Sequence, residues 1–131
     1  MKIAIATSVS NYIHIPDVQA KLVKLGHDVT TPVELEKNII KDNYDSVAVW
    51  KNALIIQYMN VIKENDALLV LNLTKNDIPN YIGGNVLLEM GFAIAYGKKL
   101  FLYNDIPEVQ YKAEIEGLLP TVIHQQLDQI V

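Results

Sequence analysis

The stretch "NYIGGNVLLEMGFAIAYGKK", residues 80–99, opens as a polar turn with two glycines and continues as an apolar helix, yet it sets one carboxylate, Glu89, among Leu87, Leu88, Met90 and Gly91. Two readings of that acid are open. Helix N-terminal turns favour acids through the macrodipole, and a lysine can pair with one. Alternatively, Glu89 sits on the edge of the face carrying Leu88, Phe92 and Ala95 and presents its carboxylate to a ligand. Gly83 and Gly84 let the main chain approach a ligand closely, Asn85 is placed to cap the helix, and exposed amides there favour an anion or a hydroxyl. A flexible turn before a helix explains the same glycines without a ligand.

Other polar groups stand at points where a strand hands over to a loop. "TSVSN" (7–11) offers Ser8 and Asn11 as a lining for a ribose or phosphate pocket, or as turn and cap residues. It lacks the glycine pattern of a dinucleotide fingerprint or a P-loop, which lowers the rank of NAD binding and ATP hydrolysis. Asn72 begins the loop "NLTKNDIPNYIGGN" (72–85) and is a further candidate contact. Of the aromatic residues able to stack on a base, Trp50 and Tyr58 fit a core at helical spacing, while Tyr12 and Tyr81 remain open.

Positioning these groups requires a sheet. "KIAIAT" (2–7) reads as a strand, "DVQAKLVKLG" (17–26) as a helix ended by Gly26, and "HDVTTP" (27–32) as a second strand. Glu34 to Asp45 reads only as a solvated loop or irregular helix. From Ser46 to Asn65, Val47, Trp50, Leu54, Tyr58, Val61 and Ile62 recur at helical spacing, and the Trp50, Leu54 and Tyr58 stripe either covers the sheet or meets a partner. "ALLVLNL" (67–73) is apolar without alternation, as in a central parallel strand covered on both faces. "KLFLYN" (99–104) is another, followed by a helix over 107–118, a last strand "TVIHQ" (121–125) and a terminal turn.

The alternation predicts an α/β fold: a five-stranded parallel, doubly wound sheet in a three-layer, flavodoxin- or Rossmann-like sandwich. The expected strand order is 2-1-3-4-5, with 3-2-1-4-5 the alternative. Residues 1–131 read as a single domain, without repeat, linker or low-complexity tract. In such sheets ligands bind beyond the carboxyl ends of the strands where the order reverses, which nominates the loops after strands one, three and four.

Composition narrows the partners. The net charge is −4, and all 11 basic residues are lysines. Long nucleic acid polymers are therefore unexpected, and any anion must be held by lysines, hydroxyls and amides. With no cysteine and only scattered His14, His27 and His124, no metal or cofactor is expected. No apolar run approaches the roughly 20 residues of a membrane span, and the start lacks a secretory signal. No membrane partner and a cytoplasmic location are expected, and the Asn-Leu-Thr sequon at Asn72 reads as a strand end.

"AIATS" at the first strand, "NDALLVLN" at the third and "YIGGNVLLEMGFAIAYGKKLFLYN" together resemble the nucleoside 2-deoxyribosyltransferase-like superfamily, which includes the 2'-deoxynucleoside 5'-phosphate N-hydrolases. The resemblance covers most of the chain, and its most specific part is Gly84, Glu89, Gly91, Ala93, Ala95, Gly97 and Lys98. It implies that Glu89 is a nucleophile attacking the anomeric carbon of a deoxyribosyl group, without metal or cofactor. On that reading the loop residues Ser8, Asn11, Asn72, Gly83, Gly84 and Asn85 are expected around a small-molecule nucleoside or nucleotide, and the resemblance implies a homodimer or larger homo-oligomer.

The chain departs from the family's pattern at two acids. Tyr58 stands eight residues ahead of Asp66 where the family commonly has aspartate, and Gly83 stands six before Glu89 where the transferases carry an acid. Asp77 is a candidate replacement, and the donor of a proton to the leaving base is unassigned. The arginine and glycine of the phosphohydrolase branch are replaced by "TSVSN". The expected function is cleavage or transfer at an N-glycosidic bond, with two alternatives: a non-catalytic nucleoside- or nucleotide-binding module, and a structural protein with a vestigial pocket.

Overall fold

The computed structural model describes residues 1–131. Five strands, β1 (Lys2–Ala6), β2 (Asp28–Thr30), β3 (Ala67–Val70), β4 (Lys99–Leu102) and β5 (Thr121–Val122), form one parallel sheet in the order β2-β1-β3-β4-β5. The expected topology and its switch point between β1 and β3 are therefore present. Their register pairs Ile3 with Ala67 and Ala6 with Val70.

Strand alternation divides the core between two faces. Ala4, Ala6, Leu68, Val70, Leu100 and Leu102 point toward α3 (Val47–Glu64), α4 (Gly84–Ala95) and α5 (Lys112–Gly117), meeting Tyr58, Ile62, Val86, Met90 and Ile115. Ile3, Ile5, Leu69, Leu71 and Phe101 point the other way, onto Ile15, Val18 and Leu22 of α1 (Ile15–Lys24) and onto Ile123, Leu127 and Ile130. Burial on both faces is why β3 reads as an unbroken apolar run.

Glycine ends both α1 and α4. Gly26 has φ +94 and Gly97 φ +68, conformations that an L side chain resists. The His27 amide bonds the Leu22 carbonyl at 3.1 Å and the Lys98 amide bonds that of Ala93 at 2.8 Å, closing a Schellman motif at each end.

Three elements depart from the sequence reading. The unresolved stretch after β2 folds as α2 (Pro32–Asn38) followed by a short turn over Lys41–Asn43; Thr31 and Pro32 are its N-cap and first helical residue, a placement proline favours. The last helix starts five residues later than expected, at Lys112. β5 stops at Val122 because His124 and Gln125 adopt positive φ and turn the chain away. The Trp50, Leu54 and Tyr58 stripe follows the first of its two readings and faces inward: Leu54 and Tyr58 are buried, and the Trp50 indole donates to the Ile39 carbonyl at 3.0 Å. No helix is long and apolar enough to cross a membrane.

Candidate active site

A small cleft of about 30 Å³ opens on the α2, α3 and α4 side of the sheet, reaching Thr7 at the end of β1. Its floor and walls are Thr7, Tyr12, Leu54, Tyr58 and Phe92, with Pro32 and Leu35 from α2. Two carboxyls and one amine line it from three helices, Glu36 of α2, Lys51 of α3 and Glu89 of α4, beside the phenols of Tyr12 and Tyr58. The cleft continues outward over Ser8, Lys75, Tyr81, Gly83 and Gly84, sharing Thr7, Tyr12, Glu36, Lys51 and Asn85 with the inner part.

Glu89 is 8 % exposed on an otherwise apolar helix face. The Asn85 side-chain amide, one turn earlier, donates to its Oε1 at 2.8 Å. Oε2 takes no hydrogen bond from the protein, and it is not sealed from the cleft. Burial pushes the carboxyl up to about 8; the Lys51 ammonium opposes that rise and the Glu36 carboxylate adds to it. A surface acid at a helix start would not carry such a shift, so the ordinary capping account of Glu89 does not describe this environment.

Asn85 was expected to cap α4. Gly83 occupies the cap instead, with extended backbone at φ −86 and ψ 175, and Asn85 is the second helical residue. Asn85 thus stands two positions inside the helix, where it and Glu89, at i and i+4, share one face. A helix start leaves the amides of Gly84, Asn85 and Val86 without intrahelical acceptors, directed toward the outer cleft. A Cβ on Gly83 would sit 3.2 Å from the Tyr81 ring, so glycine permits that aromatic wall to close on the turn.

Of the other expected contacts, Ser8 and the two glycines line the outer cleft, while Asn11 and Asn72 do not. Asn11 lies in a separate groove with His14, Asp17 and Tyr103, on the α1 side. Asn72 is fully buried and spends its side chain on the backbone: Nδ2 donates to the carbonyls of Asn104 at 3.0 Å and Asp105 at 2.9 Å, and Oδ1 accepts from the Asn104 amide at 2.9 Å. It clamps two loops together rather than facing the cleft. Asp77, the candidate replacement acid, is exposed and outside the cleft.

Tyr58 lines the inner cleft, but its hydroxyl donates to the Ile5 carbonyl. Burial, then the charges of Glu89 and Tyr12, hold that phenol well above its ordinary range, so it stays protonated and fixed to β1. The Tyr12 phenol is likewise held up, by burial first and then by the carboxylates of Glu36 and Glu89.

Lys51 and Glu36 were not recognised in the sequence. Lys51, Leu54, Ile55 and Tyr58 recur at i, i+3, i+4 and i+7, and all four line the cleft, so the signal was a cation heading a recognised stripe. For Glu36 the only signal was "TTP" announcing a helix, after which Leu35 and Glu36 enter the cleft together.

No protein-family model and no curated protein matches the sequence. Among solved structures, the chain is similar to a 2-deoxyribosyltransferase from the psychrotolerant bacterium Bacillus psychrosaccharolyticus, with a TM-score of 0.60 at 22 % identity over 79 % of this chain and 72 % of that one. It is also similar to the Clostridium botulinum CMP N-glycosidase BcmB, with a TM-score of 0.55 at 21 % identity over 93 % of this chain and 85 % of that one. The fold resemblance expected from the segment around Glu89 is thus met by two solved structures, one of a deoxyribosyltransferase and one of an N-glycosidase.

Proposed function

We propose that this protein cleaves or transfers the N-glycosidic bond of a nucleoside or nucleotide, with Glu89 as the nucleophile. The observation that carries the proposal is the state of Glu89: buried, with Oε1 tied to Asn85 and Oε2 left to the cleft. A desolvated carboxylate held in one orientation is suited to attack at an anomeric carbon, where positive charge develops as the bond to the base breaks. Oε2 forms a bond to that carbon as the carbon–nitrogen bond breaks, its electron pair leaving with the base. Water, in hydrolysis, or a second base, in transfer, then attacks the same carbon and releases Glu89.

The sugar would lie over Asn85 and the turn at Gly83 and Gly84, with Ser8 and Lys75 beyond it toward a 5' substituent. Activity on bonds of this class in both similar structures supports the reading. The test is chromatographic detection of free base from a panel of ribo- and deoxynucleosides and their monophosphates, CMP included. Glu89→Ala should fold and release no base; undiminished release by that variant removes Glu89 from the mechanism. Tight binding by calorimetry with no release from any member identifies a binding module, and neither binding nor release a vestigial pocket.

A further inference from the structure

A departing nucleobase needs a proton, and Glu89 cannot attack and also supply it. We infer that Glu36 of α2 is the acid that protonates the leaving base, an assignment that rests on the glycosidic reading of Glu89. The candidates are the proton-bearing groups of the inner cleft. Thr7 is committed, its hydroxyl donating to the Leu71 carbonyl at 2.7 Å. Tyr58 is committed to the Ile5 carbonyl. Tyr12 is a still weaker acid than an ordinary phenol, because burial and two carboxylates oppose its ionisation. Lys51 is the positive charge acting on Glu89, and loss of its proton would leave both carboxylates without a counter-charge.

Glu36 remains, and its surroundings suit the task. It lines the inner cleft together with Glu89 and Lys51, beside Pro32 and Leu35 of α2 and Leu54 and Ile55 of α3. On this assignment the base of a nucleoside held at Glu89 lies on the Glu36 side of that cleft. The side chain is only partly buried, so it can exchange protons with solvent between turnovers. The charged and titratable groups around it are Glu89 from α4, Lys51 from α3, Tyr12 from the turn after β1, Lys75 and Tyr81 from the loop before α4, and a Glu34–Lys37 pair at 3.5 Å on its own helix.

In the empty cleft Glu89, pushed up to about 8 chiefly by burial, holds its proton at neutral pH. Productive binding places that proton on Glu36 and leaves Glu89 anionic. Glu36 then gives its proton to the base nitrogen as the glycosidic bond breaks, and in hydrolysis its carboxylate takes a proton from the attacking water. Each turnover consumes one water and restores both side chains.

The experiment compares wild type, Glu36→Gln and Glu89→Gln on the fastest-cleaved nucleoside of the panel and on 4-nitrophenyl 2-deoxyriboside, whose phenolate leaves without a proton. Glu36→Gln should lose about 100-fold or more in kcat on the nucleoside, the usual weight of a general acid, and less than about 5-fold on the nitrophenyl substrate. Glu89→Gln should lose both. Wild-type cleavage of the nucleoside should fall as pH rises through about 8, where Glu89 loses the proton it would pass on, and Glu36→Gln should lack that alkaline limb. Equal loss on both substrates, or no loss on the nucleoside, overturns the role of Glu36 while leaving Glu89 in place. Nucleoside cleavage by wild type that persists unchanged above pH 8 also overturns it, whichever substrates are accepted. Retained cleavage by Glu89→Gln, or none by wild type, overturns the glycosidic reading and the acid with it.

Discussion

Asn85 and Glu89 lie one helical turn apart in α4, and the Asn85 amide donates to Oε1 of Glu89 at 2.8 Å. The bond strengthens as the carboxylate becomes anionic, because hydrogen bonds to a charged acceptor are roughly twice as strong as neutral ones. Asn85→Ala should therefore lower kcat by about 10-fold, corresponding to roughly 1.4 kcal/mol. Alanine is the better helix former and Asn85 is exposed, so the melting temperature should hold or rise. Steady-state kinetics beside a thermal melt checks the pair; a fall in stability with unchanged kcat would make Asn85 a structural residue.

Glu89 also sets a pH dependence of stability. Its carboxyl titrates at about 8 in the folded chain, above the 4.5 of a free glutamate, chiefly through burial. The folded state thus holds this proton more tightly than the unfolded state does. The favourable contribution is complete below pH 4.5 and is lost as pH rises through about 8. Glu89→Gln should accordingly gain stability over wild type across that window, on the order of a few kcal/mol at pH 9 and little at pH 4. Denaturant melts at both pH values test this. Equal stability of the two proteins at pH 9 would mean that the carboxylate is solvated and the raised titration wrong.

Tyr58 occupies the place where the resemblance led to an expected acid. Its hydroxyl is bound to the Ile5 carbonyl and directed at the sheet, which is a packing role. Tyr58→Phe should cost about 1–2 kcal/mol of stability by leaving a buried carbonyl short of its donor, while base release changes less than about 3-fold. A loss of roughly 100-fold or more in kcat, the size a general acid commands, would make Tyr58 the proton donor instead.

The sheet order and Glu89 were legible because each rests on a strong local pattern: apolar runs of strand length, and one acid in an apolar helix. The rest of the site depends on relations that the sequence does not state. Glu36 follows a segment with no clear hydrophobic period, and only the packing of α2 against α3 carries it into the cleft. Lys51 drew no reading because nothing along the chain marks that α3 packs against α2. Asn85 was placed two positions too early in the helix because a glycine, Gly83, took the cap that asparagine usually favours. Asn11 and Asn72 were nominated by their loops, but a loop at the strand ends has two sides, and both side chains lie away from the cleft.

Asn72 gives the sharpest separation between holding a loop and holding a ligand. Its three side-chain hydrogen bonds tie the segment after β3 to the segment after β4, and Asn104 Nδ2 returns a fourth to the Asn72 carbonyl at 3.1 Å. Asn72→Ala breaks three of these and leaves buried backbone groups unpaired, which should cost about 2–3 kcal/mol and lower the melting temperature by roughly 10 °C. The glycine turn has separate anchors: the Tyr81 amide bonds the Leu73 carbonyl at 3.0 Å, and the Tyr111 hydroxyl donates to the Ile82 carbonyl. Well below the melt, KM and kcat for base release should therefore stay within about 3-fold of wild type, since the transition-state contacts are untouched. A ligand contact predicts the reverse, a raised KM with an unchanged melt, and that outcome would return Asn72 to the substrate site.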